Sequence, residues 1–447
     1  MEVALGEKGV YFPTDGQLSE EFCREHDLMR RKDENGNPAG GYLDPNKRNV
    51  KTVRLRGEAS DGLYMPITCL DYCFNGAAAA EQLSVGDTIT IVNGHEICQK
   101  YIPQVHNPAH KTNGNKTKKR KVNVAPTFFE HADTSQLAYN MGDFHSGDLV
   151  EITLKMHGTS QRTGYVPVLK GYADSVMCNI GNALKFIYLR MTNQVEKFDP
   201  KHDGDPIYEY DYITGTRRVV LDDFSGGFYG SNEFREPHAE KFRDKLHKGE
   251  TVYYEVVGFT DTGAPIMGNS NNKKLNDKEF IKIYGDETVF SYGCSPDGST
   301  EGHYEDIVWI NPQSNIYVYR MTMTNEDGDV VEYTPNFMRY RCEQMGVECV
   351  PVFWSGFIPD NPGSKDDPTI TPGEWIKNKA ERYYDGPDPI GKTHIREGIV
   401  ARIVNRPKFT AYKHKNTNFK ILEGIIKESA TAPDMEEAQD IVESEEV

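Results

Sequence analysis

The chain has 447 residues, a formal net charge of −17, 37% hydrophobic and 27% charged residues. This balance belongs to a globular protein of two or three domains, and the charge excludes a uniformly basic coat for nucleic acid. No window nears the ~18 apolar residues of a membrane span, and MEVALGEKGVYFPTDG lacks the basic and apolar regions of a secretory signal, so a cytoplasmic protein without a membrane partner is expected.

Residues 1–105 carry short β-rich stretches between turn residues, such as KTVRLRG and GDTITIVNG, and predict a small β-barrel domain. Residues 106–127 are polar and include the basic run KTKKRK, Lys116 to Lys121, so they read as a basic linker. Residues 128–428 mix longer strands with helices. GDLVEITLK, ETVYYEVVGF, SNIYVYRMTM, EGIVARIV and NFKILEGII predict strands. REPHAEKFRDKLHKG predicts a helix, with Ala239, Phe242 and Leu246 on one face and Gly249 as the stop. Residues 429–447 form an acidic tail expected to be disordered.

The eight cysteines (Cys23, Cys69, Cys73, Cys98, Cys178, Cys294, Cys342, Cys349) form no C-x-x-C pair and no Cys/His zinc spacing, so they read as reduced thiols.

Three lysines lie in motif-like settings. GPDPIGKT, with Lys392 and Thr393, matches the phosphate-loop pattern. No buried strand precedes it, and Pro387 and Pro389 remove two N–H donors, so that reading fails. KHDG, with Lys201, stands among Asp199, Asp203, Asp205 and Glu209. Nearby carboxylates keep a lysine protonated, which is wrong for a nucleophile, and the segment reads as a surface turn. Lys155 ends the apolar strand VEITL and is followed by MHGTS. Alone it would be a solvated rim residue; its weight comes from the segments that follow in order.

KMHGTS resembles motif I of the covalent nucleotidyltransferases, in the K-x-H-G form of RNA-editing-type, nick-sealing RNA ligases. GTRRVVL resembles motif Ia, YYEVVG motif III, YVYRM motif IIIa, EGIVAR motif IV and YKHKNTNFK motif V. VRLRGEASDGLYMPI and EICQKYIP resemble, more weakly, the OB-like domain that precedes the ligase module in one RNA-ligase branch, here with its first strands missing or rebuilt. The resemblance implies an α+β fold: a nucleotidyltransferase (ligase adenylation) domain of antiparallel sheets with flanking helices, preceded by a small OB-like β-barrel domain.

It implies an ATP-dependent RNA ligase that seals 3′-OH/5′-phosphate breaks through a lysyl-AMP on Lys155. Lys413 and Lys415 are expected to act with it. Gly158, Arg162, Arg217 (or Arg218, which spacing does not separate), Glu255, Tyr319 and Glu397 are expected to bind the nucleotide, with Tyr317 in the same motif as Tyr319. Glu397 and Glu255 would hold Mg²⁺ or Mn²⁺, and Gly158 would let the backbone approach the nucleotide. The implied partner is nicked or broken RNA, alone or in an RNA/DNA duplex. His157, where DNA ligases carry Asp, favours the RNA-ligase branch over the alternatives: a DNA ligase, an mRNA-capping guanylyltransferase, or an inactive nucleic-acid-binding homologue.

The chemistry accounts for the residue types. A free lysine has a pKa of about 10.4 and must lose its proton to act as a nucleophile. Nearby cations such as Lys413, Lys415 and Mg²⁺ favour that loss; a fall of about 3 units corresponds to roughly 4 kcal/mol.

Overall fold

The computed structural model describes residues 6–14, 16–32, 38–51, 53–55, 58–60, 62–101, 124–195, 198, 200–221, 224, 232–258, 260, 266, 273–274, 287–288, 301–304, 307–310, 314–363, 368–390 and 395–420. Lys392, Thr393, the run Lys116 to Lys121 and the acidic tail lie outside the described residues.

Residues 6–101 enclose their own apolar core of Phe12, Leu18, Phe22, Leu70 and Ile97, all at most 2% exposed. Gly9–Pro13 pairs with Gly62–Pro66, and Gly16–Leu18 with Cys98–Lys100. Each ladder here is two-stranded among the described residues, so no continuous barrel wall is seen in them. GDTITIVNG yields only the two-residue strand Ile91–Val92, turning back on His95–Glu96.

Two sheets follow. The first contains β1 (Ser135–Gln136), β2 (Leu149–Leu154), β10 (Val352–Phe357), β11 (Gly398–Ile403) and β12 (Thr410–Lys415), in the order β1-β12-β11-β2-β10. The second contains β3 (Thr159–Tyr172), β4 (Pro206–Thr216), β5 (Val220–Leu221), β6 (Glu250–Gly258), β7 (Ser314–Thr324) and β8 (Val330–Glu332), in the order β5-β4-β3-β6-β7-β8. A short β9 (Glu348–Cys349) runs parallel to β7. Apart from that pair and β1–β12, the ladders of both sheets are antiparallel.

Residue parity decides what each sheet buries. On β6, Val252, Tyr254 and Val256 join Ile316, Val318 and Met321 beneath helix Pro335–Met345. On β2 and β11, Val150, Ile152, Ile399, Ala401 and Ile403 pack with Ile376 and Ala380 of helix Pro372–Ala380. Each Val, Ile or Met side chain among them contributes about 1.5–3 kcal/mol on burial. Residues of the opposite parity on both sheets face the space between them.

Helical expectations fared unevenly. REPHAEKFRDKLHKG is α-helical only over Glu236–Glu240 and continues in i→i−3 turns to Lys245, with Asp244 at φ +61°. Ala239, Phe242 and Leu246 are buried as their spacing predicts. NFKILEGII opens with a helical turn at 417–420 instead of a strand. Helix α1 (Val176–Met191), capped by Ser175, was not legible. KHDG is the surface turn its composition predicts: Asp203 accepts hydrogen bonds from the Ser175 backbone and hydroxyl, and His202 stacks on Tyr172 at 3.8 Å. The seven described cysteines are free thiols.

Candidate active site

Strand β2 and its continuation place Glu151, Thr153 and Lys155 on one face, against the cleft between the sheets. The same parity puts Val400 and Arg402 of β11, and Ala411 and Lys413 of β12, on that cleft. From the second sheet come Ser160, Glu255 and Tyr319. The cleft encloses about 930 Å³, including the solvent at its mouth.

Lys155 and Glu397 meet at the wall of the cleft. The Lys155 Nζ lies 2.7 Å from Glu397 Oε1, and the Lys415 Nζ lies 3.2 Å from the same oxygen. His157 Nδ1 is 3.5 Å from Oε2. Glu397 is only 5% exposed. Burial opposes its charge, but the ammonium groups of Lys155 and Lys415, with His157, hold its carboxyl well below the usual carboxylate range. The backbone fixes this arrangement: Lys155 N–H donates to the Gly398 carbonyl, and Asn416 N–H to the Glu397 carbonyl. Gly398 has φ +148°, and a Cβ there would lie 2.2 Å from the His414 carbonyl oxygen, so only glycine fits beside Glu397.

The facing sheet supplies a second carboxylate. Ser160 and Glu255 are register partners, and the Ser160 hydroxyl donates to Glu255 Oε2 at 3.2 Å. Tyr319 lines the cleft and meets His131 edge-on at 5.2 Å, whereas Tyr317 is buried in the contact between the sheets with Leu154 and Val257. Arg217 also lines the cleft, paired to Asp133; Arg218 reaches the other oxygen of Asp133 but its side chain is 48% exposed. Geometry thus distinguishes the two arginines that spacing left open.

Two further expected residues lie in packed surroundings away from the cleft wall. Arg162 does not line the cleft: it is 2% exposed, lies over the Phe128 ring at 4.6 Å and donates to the Arg217 carbonyl at 2.7 Å. It braces the turn that carries Arg217. Gly158 serves the packing of the strands: a Cβ there would lie 2.4 Å from the Val256 carbonyl oxygen and 2.8 Å from Glu255 Cγ.

The sequence reading overlooked His131, Thr153, Glu151, Arg339 and Arg402 in the cleft wall. Arg339 binds Glu151 through two nitrogens at 3.1 and 3.0 Å, and Arg402 donates to the Tyr333 carbonyl at 3.0 Å. Glu151 and Thr153 were recoverable, since they share the parity of Lys155. His131 was not, because its segment is irregular.

Among the described residues, the cluster of three potential metal ligands is Asp174, Cys178 and Asp203, on the surface turn and not in the cleft. Glu255 lines the cleft, and Glu397 lies behind Lys155, which also lines it; their hard carboxylate oxygens are of the donor type that fits Mg²⁺ or Mn²⁺ when phosphate oxygens complete the shell. No described helix is long and apolar enough to cross a membrane.

No protein-family model matches the chain, and no curated protein matches its sequence. Among solved structures it is similar to Naegleria gruberi RNA ligase. A mutant apo form is 17% identical at a TM-score of 0.47, covering 95% of this chain and 88% of that one. The complex of that ligase with PPi is 15% identical at 0.47, covering 94% and 88%. A mutant with ATP and Mn is 15% identical at 0.47, covering 93% and 87%.

Proposed function

We propose that the chain is an ATP-dependent RNA ligase that works through a covalent lysyl-AMP on Lys155. The observation that carries this reading is the shared Glu397 oxygen, which gathers a strand-end lysine and a second lysine beside the cleft between the sheets. Six segments, spread from residue 155 to residue 420, resemble the nucleotidyltransferase motifs, and all six supply residues to the cleft wall.

In the first step the Lys155 nitrogen bonds to the α-phosphorus of ATP while the bond to the pyrophosphate oxygen breaks. In the second the AMP passes to a 5′-phosphate. In the third a 3′-OH attacks that phosphate and AMP leaves. Lys155, Lys415 and Glu397 together carry a net charge of +1. Loss of one proton from Lys155 leaves a neutral Glu397–Lys415 pair, which a buried site accommodates better than an uncompensated cation. Lys413 and Arg217 face the cleft as donors for phosphate and ribose oxygens, and Tyr319 offers its ring to the base. Glu397 and Glu255 would hold Mg²⁺ or Mn²⁺, which when bound neutralises phosphate charge. We also assign residues 1–105 as the OB-like unit and, with Lys116 to Lys121 and the motif lysines, as the track for broken RNA.

The test is incubation with ATP and Mg²⁺, followed by peptide mass spectrometry for a covalent adenylate. The adduct is expected on Lys155, lost in Lys155→Ala and kept in Lys201→Ala and Lys392→Ala. An adduct that survives Lys155→Ala, or none from ATP in the wild type, overturns the reading. GTP in place of ATP tests the capping alternative, and RNA against DNA nicks tests the DNA-ligase one.

A further inference from the structure

Helix α1 presents to solvent an apolar face that the ligase chemistry does not use. It is attached through a narrow stripe. Leu189 is 8% exposed, Asn182 donates to the Lys201 carbonyl at 2.7 Å, and the Cys178 thiol donates to the same carbonyl at 3.1 Å. At 100° per residue, the stripe on the opposite side holds Met177, Ile180, Leu184, Ile187 and Met191. They are 78%, 50%, 63%, 49% and 82% exposed, flanked by Tyr188 at 65%. A surface helix ordinarily turns such a stripe toward the core. Spacings of three and four residues in alternation are those of a seam that another helix fills.

We propose that this face pairs with helix α1 of a second copy of the chain, in an antiparallel pair about a twofold axis near Leu184. The order of side chains selects that occupant. From Leu184 outward, the seam reads isoleucine then methionine in both directions. A twofold therefore sets Met177 near Met191, Ile180 near Ile187, and Leu184 near its own counterpart, a self-complementary interface. Charge agrees. Asp174 and Asp203 stand at the start of the helix, bonded to His202 and Ser175 on its attached side, and Arg190, near its end, makes no ion pair among the described residues. Antiparallel pairing brings Arg190 to the first turn of the opposite helix, whereas parallel pairing would set like charges together. Complete burial of the six exposed side chains would reach at most on the order of 800 Å² per partner, the area of a standard-size specific interface.

The experiment is sedimentation velocity on the full chain from about 1 to 100 µM, a range that spans a Kd near 10 µM. The mass is expected to rise from 50.6 kDa toward twice that value. Leu184→Asp should hold it at the monomer, with the far-UV circular dichroism and adenylate yield of the wild type. Arg190→Glu, a fully surface change, should weaken association about tenfold, roughly 1.4 kcal/mol. In a Cys178→Ser background, oxidation should join Met177→Cys chains to Met191→Cys chains and not to one another. A wild type that stays monomeric at about 100 µM overturns the proposal and leaves the face to a helix of another protein. A dimer that survives Leu184→Asp, or self-linking Met177→Cys chains, overturns it equally.

Discussion

Glu397→Gln removes one charge while keeping the side-chain shape. In the wild type, two ammonium groups share Oε1, at 2.7 and 3.2 Å, so their nitrogens are no more than about 6 Å apart. Without the carboxylate these two charges face each other in a nearly dry site. At an effective dielectric constant near 20, two like charges at about 6 Å repel by roughly 3 kcal/mol. The side chains of Lys155 and Lys415 are 14% exposed, so solvent relieves little of this. Urea unfolding at neutral pH without nucleotide should show Glu397→Gln less stable by about 3 kcal/mol. Adding Lys155→Met removes one of the opposed charges, and the double variant should recover most of the loss. The single Lys155→Met change, which leaves a neutral Glu397–Lys415 pair, should be milder than Glu397→Gln. A Glu397→Gln loss below about 0.5 kcal/mol, or one that Lys155→Met fails to relieve, would refute the shared-oxygen account of the site.

Gly158→Ala should destabilise by about 1–3 kcal/mol and lower adenylate yield, since its Cβ meets β6 backbone at 2.4 Å; thermal unfolding checks this, and an unchanged melting temperature contradicts it. His238 is 4% exposed, with its Nε2 2.7 Å from Ser314 Oγ; burial, with Lys241 and Arg235 nearby, pushes its pKa down to about 3. Unfolded, it would titrate near 6.5, so the unfolded chain binds more protons as pH falls from about 6.5 to 3 and stability drops by up to ~1.4 kcal/mol per unit. His238→Gln should flatten that acid limb, and an identical limb in the variant would remove His238 as its cause. Glu397 acts lower on the scale: its depressed carboxyl contributes stability above the unfolded value of about 4.3 that is lost as pH falls below it.

Much of the candidate site was legible because strands write it with a period of two. VEITLK alternates core and cleft residues, and that parity carries Lys155 to the same side as Thr153 and Glu151. Gly398 and Glu397 were legible as a neighbouring pair, although the sequence does not show that His414 crowds the glycine. What was hidden depends on long-range contact. Asp133 and Arg217 are 84 residues apart and joined only by the fold. Arg162 looked like a ligand of the nucleotide because a guanidinium invites that role, yet Phe128 and the Arg217 carbonyl enclose it. Helix α1 escaped notice because Gly181, two asparagines and its aromatic and β-branched residues have weak helix propensity, and its apolar stripe faces outward. In the N-terminal unit, short ladders left their pairing to turns and side chains, which a strand pattern does not specify.

Lys155 to Gly158 are also the only covalent passage from β2 in one sheet to β3 in the other. The lysine's backbone is bonded to the Gly398 carbonyl, so it travels with the first sheet and with Glu397, while Glu255 travels with the second. Any group attached to that amine is therefore held where the chain crosses from one sheet to the other, beside the shared core of Leu154, Val257 and Tyr317.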